Sequence, residues 1–165
     1  MALTPSEREV LIRKYAEGPA RLKAALAAVP AEALTWRPEP TEWSAHEIIC
    51  HCADSETNAY TRIRLLAAEK TAPTILGYDQ DVWALALDYH AHPLEPALAV
   101  VEAVRANTVP LLRRLPESAW SRRGRHTESG PYGAEDWLRI YADHLEGHAA
   151  QIEGNVTKWA AARAR

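Results

Sequence analysis

Residues 44–70 read "SAHEIICHCADSETNAYTRIRLLAAEK", and the fold class follows from them. Ser44 and Glu47 make an S-x-x-E pair, in which each side chain can satisfy a free backbone N–H of the other at the start of a helix. Trp43 before the pair and Ile48 after it can staple the entry. Ile48, His51, Cys52, Ser55, Ala59, Ile63 and Leu66 then recur in steps mostly of three and four, one face of a helix. The spacing predicts a helix from Ser44 to about Lys70, with histidine and serine on a face that should be buried.

Three further long helices are expected. One follows Thr4 and Pro5, carries Val10, Leu11, Tyr15, Leu22, Ala25 and Leu26 inward, and ends near Pro30. Gly18-Pro19 inside it predicts a kink or a break. Another lies between Pro93 and Leu115, with Ala97, Val101, Val104, Thr108, Leu111 and Leu115 as its face. Pro96 is tolerable in its first turn, and Pro110 should bend it. The last starts after Gly133, with Glu135 and Asp136 at the positive end of its dipole. Its seam is Trp137, Tyr141, His144, His148, Ile152 and Val156.

The stretches 31–43, 71–83 and 116–133 are rich in proline, glycine or arginine and read as loops. A short extra helix is expected from near Asp79 to near His90. No segment alternates convincingly with period two. The expected architecture is all-α, a four-helix bundle with long connections and a short extra helix, forming one domain over residues 1–165.

The chain is 47% hydrophobic and 25% charged, ordinary for a globular protein, and its 165 residues suit a single core. A net charge of −3 gives no reason to expect nucleic acid as a partner. No stretch has the roughly 20 apolar residues of a membrane span, and the charged N-terminus lacks a signal-peptide core. Cys50 and Cys52 are too close for an easy disulfide, which fits a reducing cytoplasm.

The chemistry concentrates in "ADHLEGHAAQI", residues 142–152. A spacing of four stacks His144 and His148 on one face, where two imidazoles can grip one cation. The bland alternative is two half-buried histidines bonded to their neighbours. Three features favour the metal. His51 points inward from another helix, and polar Ser55, Tyr141 and Gln151 continue the same stripes. Buried imidazoles without partners would be costly. Three protein ligands with an open position describe a catalytic site of the zinc type. A zinc protease is excluded, because its glutamate must follow the first histidine directly and Leu145 stands there, with Glu146 turned to the far side of the helix. A di-iron carboxylate bundle is excluded too, since Ile48, Tyr141 and Leu145 stand three residues before the histidines.

Taken together, these stretches strongly resemble the DinB-like family of the YfiT type. The resemblance rests on Trp43, Ser44, His51, Asp54 and Glu56 in the second helix and on His144, His148 and Gln151 in the last. It extends to Trp36 and Pro38 in the linker, Arg62 late in the second helix, and Tyr78-Asp79. It implies a divalent metal held by three histidines with positions open to water, most often nickel or zinc, with manganese or iron as further candidates. It also implies metal-dependent hydrolysis, or thiol transfer of the bacillithiol- and mycothiol-dependent kinds, and a homodimer.

Two chemistries follow from a cation on His51, His144 and His148: activation of water for hydrolysis, or of a low-molecular-weight thiol for S-transfer to a small-molecule substrate. Competing readings are a metal-containing bundle that binds a small molecule without turnover, and a dimer in which the metal only clamps helices. Asp54 and Glu56 are candidates for orienting an imidazole, or for pairing with Arg62, and Tyr141 and Gln151 for touching substrate. His126 sits among Arg122, Arg123 and Arg125, expected to be a solvated basic loop with anion binding as the alternative. His46, His90 and His92 are expected at the surface, Cys52 as a small buried hydrophobe, and Trp36 or Trp137 at a pocket mouth.

Overall fold

The computed structural model describes residues 2–164. Its long helices are α1 (Pro5–Ala27), α2 (Ala45–Ala68), α4 (Leu94–Arg114) and α6 (Ala134–Arg163), with short α3 (Gln80–Ala86) and α5 (Glu117–Trp120) between them. α1 packs chiefly on α6 and α2 on α4, and the pairs α1–α4 and α2–α6 close the bundle. Among the described residues, no helix is long and apolar enough to cross a membrane.

The start of α2 is as expected. Glu47 Oε2 accepts the Ser44 N–H at 2.9 Å, and Ser44 Oγ accepts the Glu47 N–H at 3.2 Å. Thr4 and Glu7 make the same reciprocal cap on α1. Asp79 caps α3 through its carboxylate, which accepts the N–H groups of Asp81 and Val82 at 3.0 Å each. That helix ends at Ala86, short of His90, and a separate turn of helix covers Tyr89–Ala91 after Asp88, whose φ is 46°.

Gly18-Pro19 does not break α1, which runs unbroken past both residues. Pro19 has no N–H for the carbonyl one turn back, that of Tyr15. Arg105 of α4 supplies the missing donor, its Nη1 lying 2.6 Å from the Tyr15 oxygen. Gly18 is what admits it, because a Cβ there would stand 2.5 Å from that same Nη1. The inner face of α4 is therefore Ala97, Val101, Arg105, Thr108 and Leu112. Val104 and Leu111, expected on it, sit one position off, because the buried stripe passes through Arg105 rather than through an apolar residue. On α1, Val10 is 54% exposed and Ile12 is buried in its stead.

The expectation of no strand fails. Residues 116–133 hold α5 and then a hairpin, β2 (Arg123–His126) and β3 (Gly130–Gly133), in antiparallel register. β1 (Thr74–Ile75) adds in parallel, Thr74 facing Arg125 and Ile75 facing His126. These strands are too short to alternate visibly, and β1 meets its partner β2 only across about fifty residues of chain. Gly130, at φ 79°, makes the hairpin turn possible. Gly124 lets β1 come close, since a Cβ there would lie 2.6 Å from the Pro73 oxygen.

The core falls into two large apolar clusters, with a small third of Cys50, Ala84 and Tyr89 under α3. One holds Ile12, Tyr15, Ile63, Leu66, Leu112, Trp137 and Leu138. The other holds Leu22, Ile48, Ile49, Val101, Leu145 and Ile152. On every long helix the residues between the two clusters are polar or small: Gly18, then Ser55 and Glu56, then Arg105 and Thr108, then His144. A polar layer thus crosses the bundle at mid-height, and the site is built on it.

Candidate metal centre

His51 comes from the second turn of α2, and His144 and His148 from successive turns of α6. Each offers a ring nitrogen, and the three nitrogens lie within 4.8 Å of one another. Ring centroids are 5.5 Å apart for His51–His144, 4.9 Å for His51–His148 and 4.6 Å for His144–His148. Among the described residues, no fourth histidine, cysteine or carboxylate shares the cluster.

The surroundings fit a cation. Buried Nδ1 atoms of His51 and His144 have no hydrogen-bond partner. Burial, reinforced by His148 and His144, pushes the pKa of His51 down to about 2. Burial and His144 take His148 down to about 4. Both rings are then neutral at pH 7, the form that ligates metal. His148 Nδ1 bonds Gln151 Oε1 at 2.9 Å; the amide oxygen only accepts, so Nδ1 carries the proton and Nε2 keeps its lone pair. The Trp43 ring lies 4.7 Å from the His51 ring and covers it.

Behind His144 lies the centre of the polar layer. Glu56 Oε1 is 3.7 Å from His144 Nδ1, an ion-pair distance rather than a hydrogen bond, and 2.6 Å from Arg105 Nη2. Tyr15 donates its hydroxyl to Glu56 Oε2 at 3.3 Å. Burial raises the Glu56 pKa, but His144 and Arg105 outweigh it and hold the carboxyl below its ordinary value. Glu56 is thus fixed as an anion facing an imidazole, and its cationic partner is Arg105, not Arg62.

In front of the histidines is a cleft of about 190 Å³ that includes Ser55, Arg62, Tyr78, His126, Tyr141 and His144 in its walls. Ser55 Oγ is 3.3 Å from His144 Nε2, and Arg62 Nη1 donates to the Tyr141 hydroxyl at 3.3 Å. Burial raises the Tyr141 pKa, so the hydroxyl stays a donor. A larger groove of about 710 Å³ runs along the α1–α4 seam, but none of the three histidines lines it. Chemistry, not size, marks the smaller cleft.

Of the proposed substrate-facing residues, Tyr141 lines the cleft and Gln151 braces His148. Asp54 stands apart and accepts from the Tyr89 hydroxyl at 2.6 Å, tying α2 to the turn after α3. His126 is not in a solvated loop: it lies on β2, 9% exposed, and faces the cleft. Nor is His46 at the surface. It is buried, with Nε2 donating to the His92 carbonyl at 2.8 Å. His90 and His92 are exposed as expected, and His90 bonds Ser44 Oγ at 2.8 Å. Trp137 is fully buried, donates to the Ala59 carbonyl at 3.0 Å and forms no pocket mouth, and Trp36 does not line the cleft either. Arg105 was missed altogether. Its signal is the spacing Val101, Arg105, Thr108, which places a cation on a buried stripe.

A helical bundle with an inward three-histidine cluster beside an open cleft defines a class of metal-site proteins, and comparison with known proteins makes the relationship specific. The profile of the DinB superfamily matches residues 14–152, and the chain belongs to that superfamily. A proposed metal-dependent hydrolase of Oceanobacillus iheyensis is 37% identical over 110 residues, covering 67% of this chain and 63% of that protein. YfiT of Bacillus subtilis, likewise a proposed metal-dependent hydrolase, is 26% identical over 152 residues, covering 92% of this chain and 85% of the relative. Its solved structure, described as an unusual four-helix bundle topology, superposes with a TM-score of 0.88 over 96% of this chain and 91% of that one. A mycothiol-dependent maleylpyruvate isomerase shares the fold at a TM-score of 0.69 and 16% identity, over 91% of this chain and 61% of its own.

Proposed function

We propose that this protein is a metal-dependent hydrolase whose divalent ion, nickel or zinc before manganese or iron, is held by His51, His144 and His148. The observation that carries the reading is the cluster itself: three ring nitrogens within 4.8 Å of one another, neutral rings at His51 and His148, and no fourth protein ligand among the described residues. A clamp that only ties helices together would want that fourth ligand. Bound there, a divalent cation supplies the positive charge that brings the deprotonation of water, or of a thiol, near neutral pH.

The chain's own residues do the rest. Gln151 orients His148 through its Nδ1, and the Glu56 carboxylate sets a negative charge 3.7 Å behind His144 Nδ1. Ser55 and Tyr141 stand beside His144 on the cleft, and Tyr141, kept protonated, donates to the oxygen on which charge develops. Thiol transfer is the second reading, favoured by the fold shared with a mycothiol-dependent enzyme.

Elemental analysis of the purified protein, with alanine at each histidine in turn, tests the site. One ion per chain, lost in every variant, is expected; a metal-free protein, or a variant that keeps its ion, sinks the assignment. Hydrolysis of small esters and amides, and thiol addition to electrophiles, measured with and without chelator, separates the two chemistries. Activity indifferent to chelator would rule out both.

A further inference from the structure

We propose that the cleft takes a small substrate bearing a carboxylate, which Arg62 binds with His126 as a second donor; this rests on the metal-site reading above. Arg62 is half-buried in the cleft wall, and its partners are neutral oxygens: the Tyr141 hydroxyl at 3.3 Å and the Leu76 carbonyl at 2.5 Å, with the Tyr78 ring 5.9 Å away. Among the described residues no carboxylate comes within ion-pair distance of it. Arg105, the other arginine beside the site, has one in Glu56, while Arg64 and Arg122 also bond only neutral oxygens but do not line this cleft. A guanidinium that remains unpaired in a cleft has donors to spare, and its planar fork matches a carboxylate.

His126 adds a donor in a fixed state. Its Nδ1 accepts the backbone N–H groups of Glu128 and Ser129 at 3.3 and 3.4 Å. The ring proton of the neutral imidazole therefore sits on Nε2, which has no partner among the described residues. Tyr78, whose pKa burial pushes up to about 12, stays a neutral wall rather than a competing anion. One charge opposes the proposal: the Glu128 carboxylate lines the same cleft against Gly77. Glu128 is exposed and screened by water, whereas Arg62 is half-buried and a divalent ion would add to its charge. Arg62 and Glu128 cancel formally, so the preference for an anion comes from the less screened position of Arg62 and is strengthened once a divalent ion is bound. The cleft is small, about 190 Å³, and Arg62 lines it together with His51 and His144, so the anionic group and the reacting atom belong to one small molecule.

The probes are 3-mercaptopropionate, its uncharged amide and 2-mercaptoethanesulfonate, titrated by calorimetry into metal-loaded and chelator-treated full-length protein. The acid should bind wild type about tenfold or more tighter than the amide, in both forms of the protein. Arg62→Gln should bring that ratio close to one while leaving amide affinity and metal content unchanged. Equal binding of acid and amide to wild type overturns the proposal whether or not the variant folds. A ratio that survives in a folded Arg62→Gln protein overturns the role of Arg62. Tighter binding of the sulfonate than of the carboxylate overturns the substrate class. Metal content, measured separately, reports on the histidines alone, and the ratio after chelation reports on Arg62 without them.

Discussion

Replacing Arg105 by methionine strikes the polar layer at its centre. The new side chain keeps much of the apolar stem but removes the cation, which is 1% exposed and bonded to a carboxylate that is wholly buried. Breaking a buried ion pair from one side costs about 3–5 kcal/mol, because the remaining charge is left uncompensated. The Tyr15 carbonyl is orphaned as well, since Pro19 cannot donate to it, which adds about 1–3 kcal/mol. The Tyr141 carbonyl, also bonded to Arg105, keeps its place inside a continuous helix and adds little. The expected loss is about 5 kcal/mol, the whole stability of a marginal domain and a third of a robust one. Urea unfolding followed by circular dichroism measures it, with chelator present so that bound metal does not mask the loss. Two controls isolate the cause. Arg105→Met combined with Glu56→Gln leaves no buried charge, and should cost at least about 2 kcal/mol less than the sum of the single changes. In a Pro19→Ala background the new N–H reaches the Tyr15 carbonyl, and Arg105→Met should cost about 1 kcal/mol less. A loss under about 1 kcal/mol, or strict additivity with Glu56→Gln, would refute the reasoning.

Gly18→Ala puts a Cβ 2.5 Å from Arg105 Nη1 and 3.1 Å from the Leu145 Cβ, so it should destabilise by about 1–3 kcal/mol despite alanine's better helix propensity, as thermal unfolding will show. Burial raises the Glu47 pKa, but Arg37 and the Ser44 N–H outweigh it, so the folded value lies below the ordinary 4.5. Its contribution is therefore complete above that value and is lost as pH falls through the folded one. The stability gap between wild type and Glu47→Gln should narrow below that pH and stay flat above it; a gap that widens in acid contradicts the sign. Gln151→Leu removes the acceptor that fixes the His148 tautomer and should weaken metal retention about 10- to 100-fold in a chelator competition, with the fold intact.

How legible a feature was depended on how far away its cause lies. The cap of α2 could be read because Ser44 and Glu47 satisfy each other within one turn. The three histidines could be read because a spacing of four fixes a shared face, whatever the partner helix. The sheet could not: β2 and β3 are neighbours in sequence but too short to show a period, and β1 joins β2 across about fifty residues. His46 and His126 were misplaced for the same reason: one is covered by the turn after α3, the other drawn onto a sheet.

The two arginines of the site sharpen the point. Arg62 and Arg105 both stand on long helices among apolar neighbours, and residue type distinguishes neither. What separates them is what lies across the bundle. Glu56 meets Arg105, fills its charge and makes it part of the scaffold. Only neutral oxygens meet Arg62, which leaves a cation free to recruit an anion from outside. A paired guanidinium orders the protein and an unpaired one selects a ligand. That division is set by three-dimensional neighbours, so the histidines of this site can be inferred from helical spacing while the roles of its arginines can be inferred only from the folded chain.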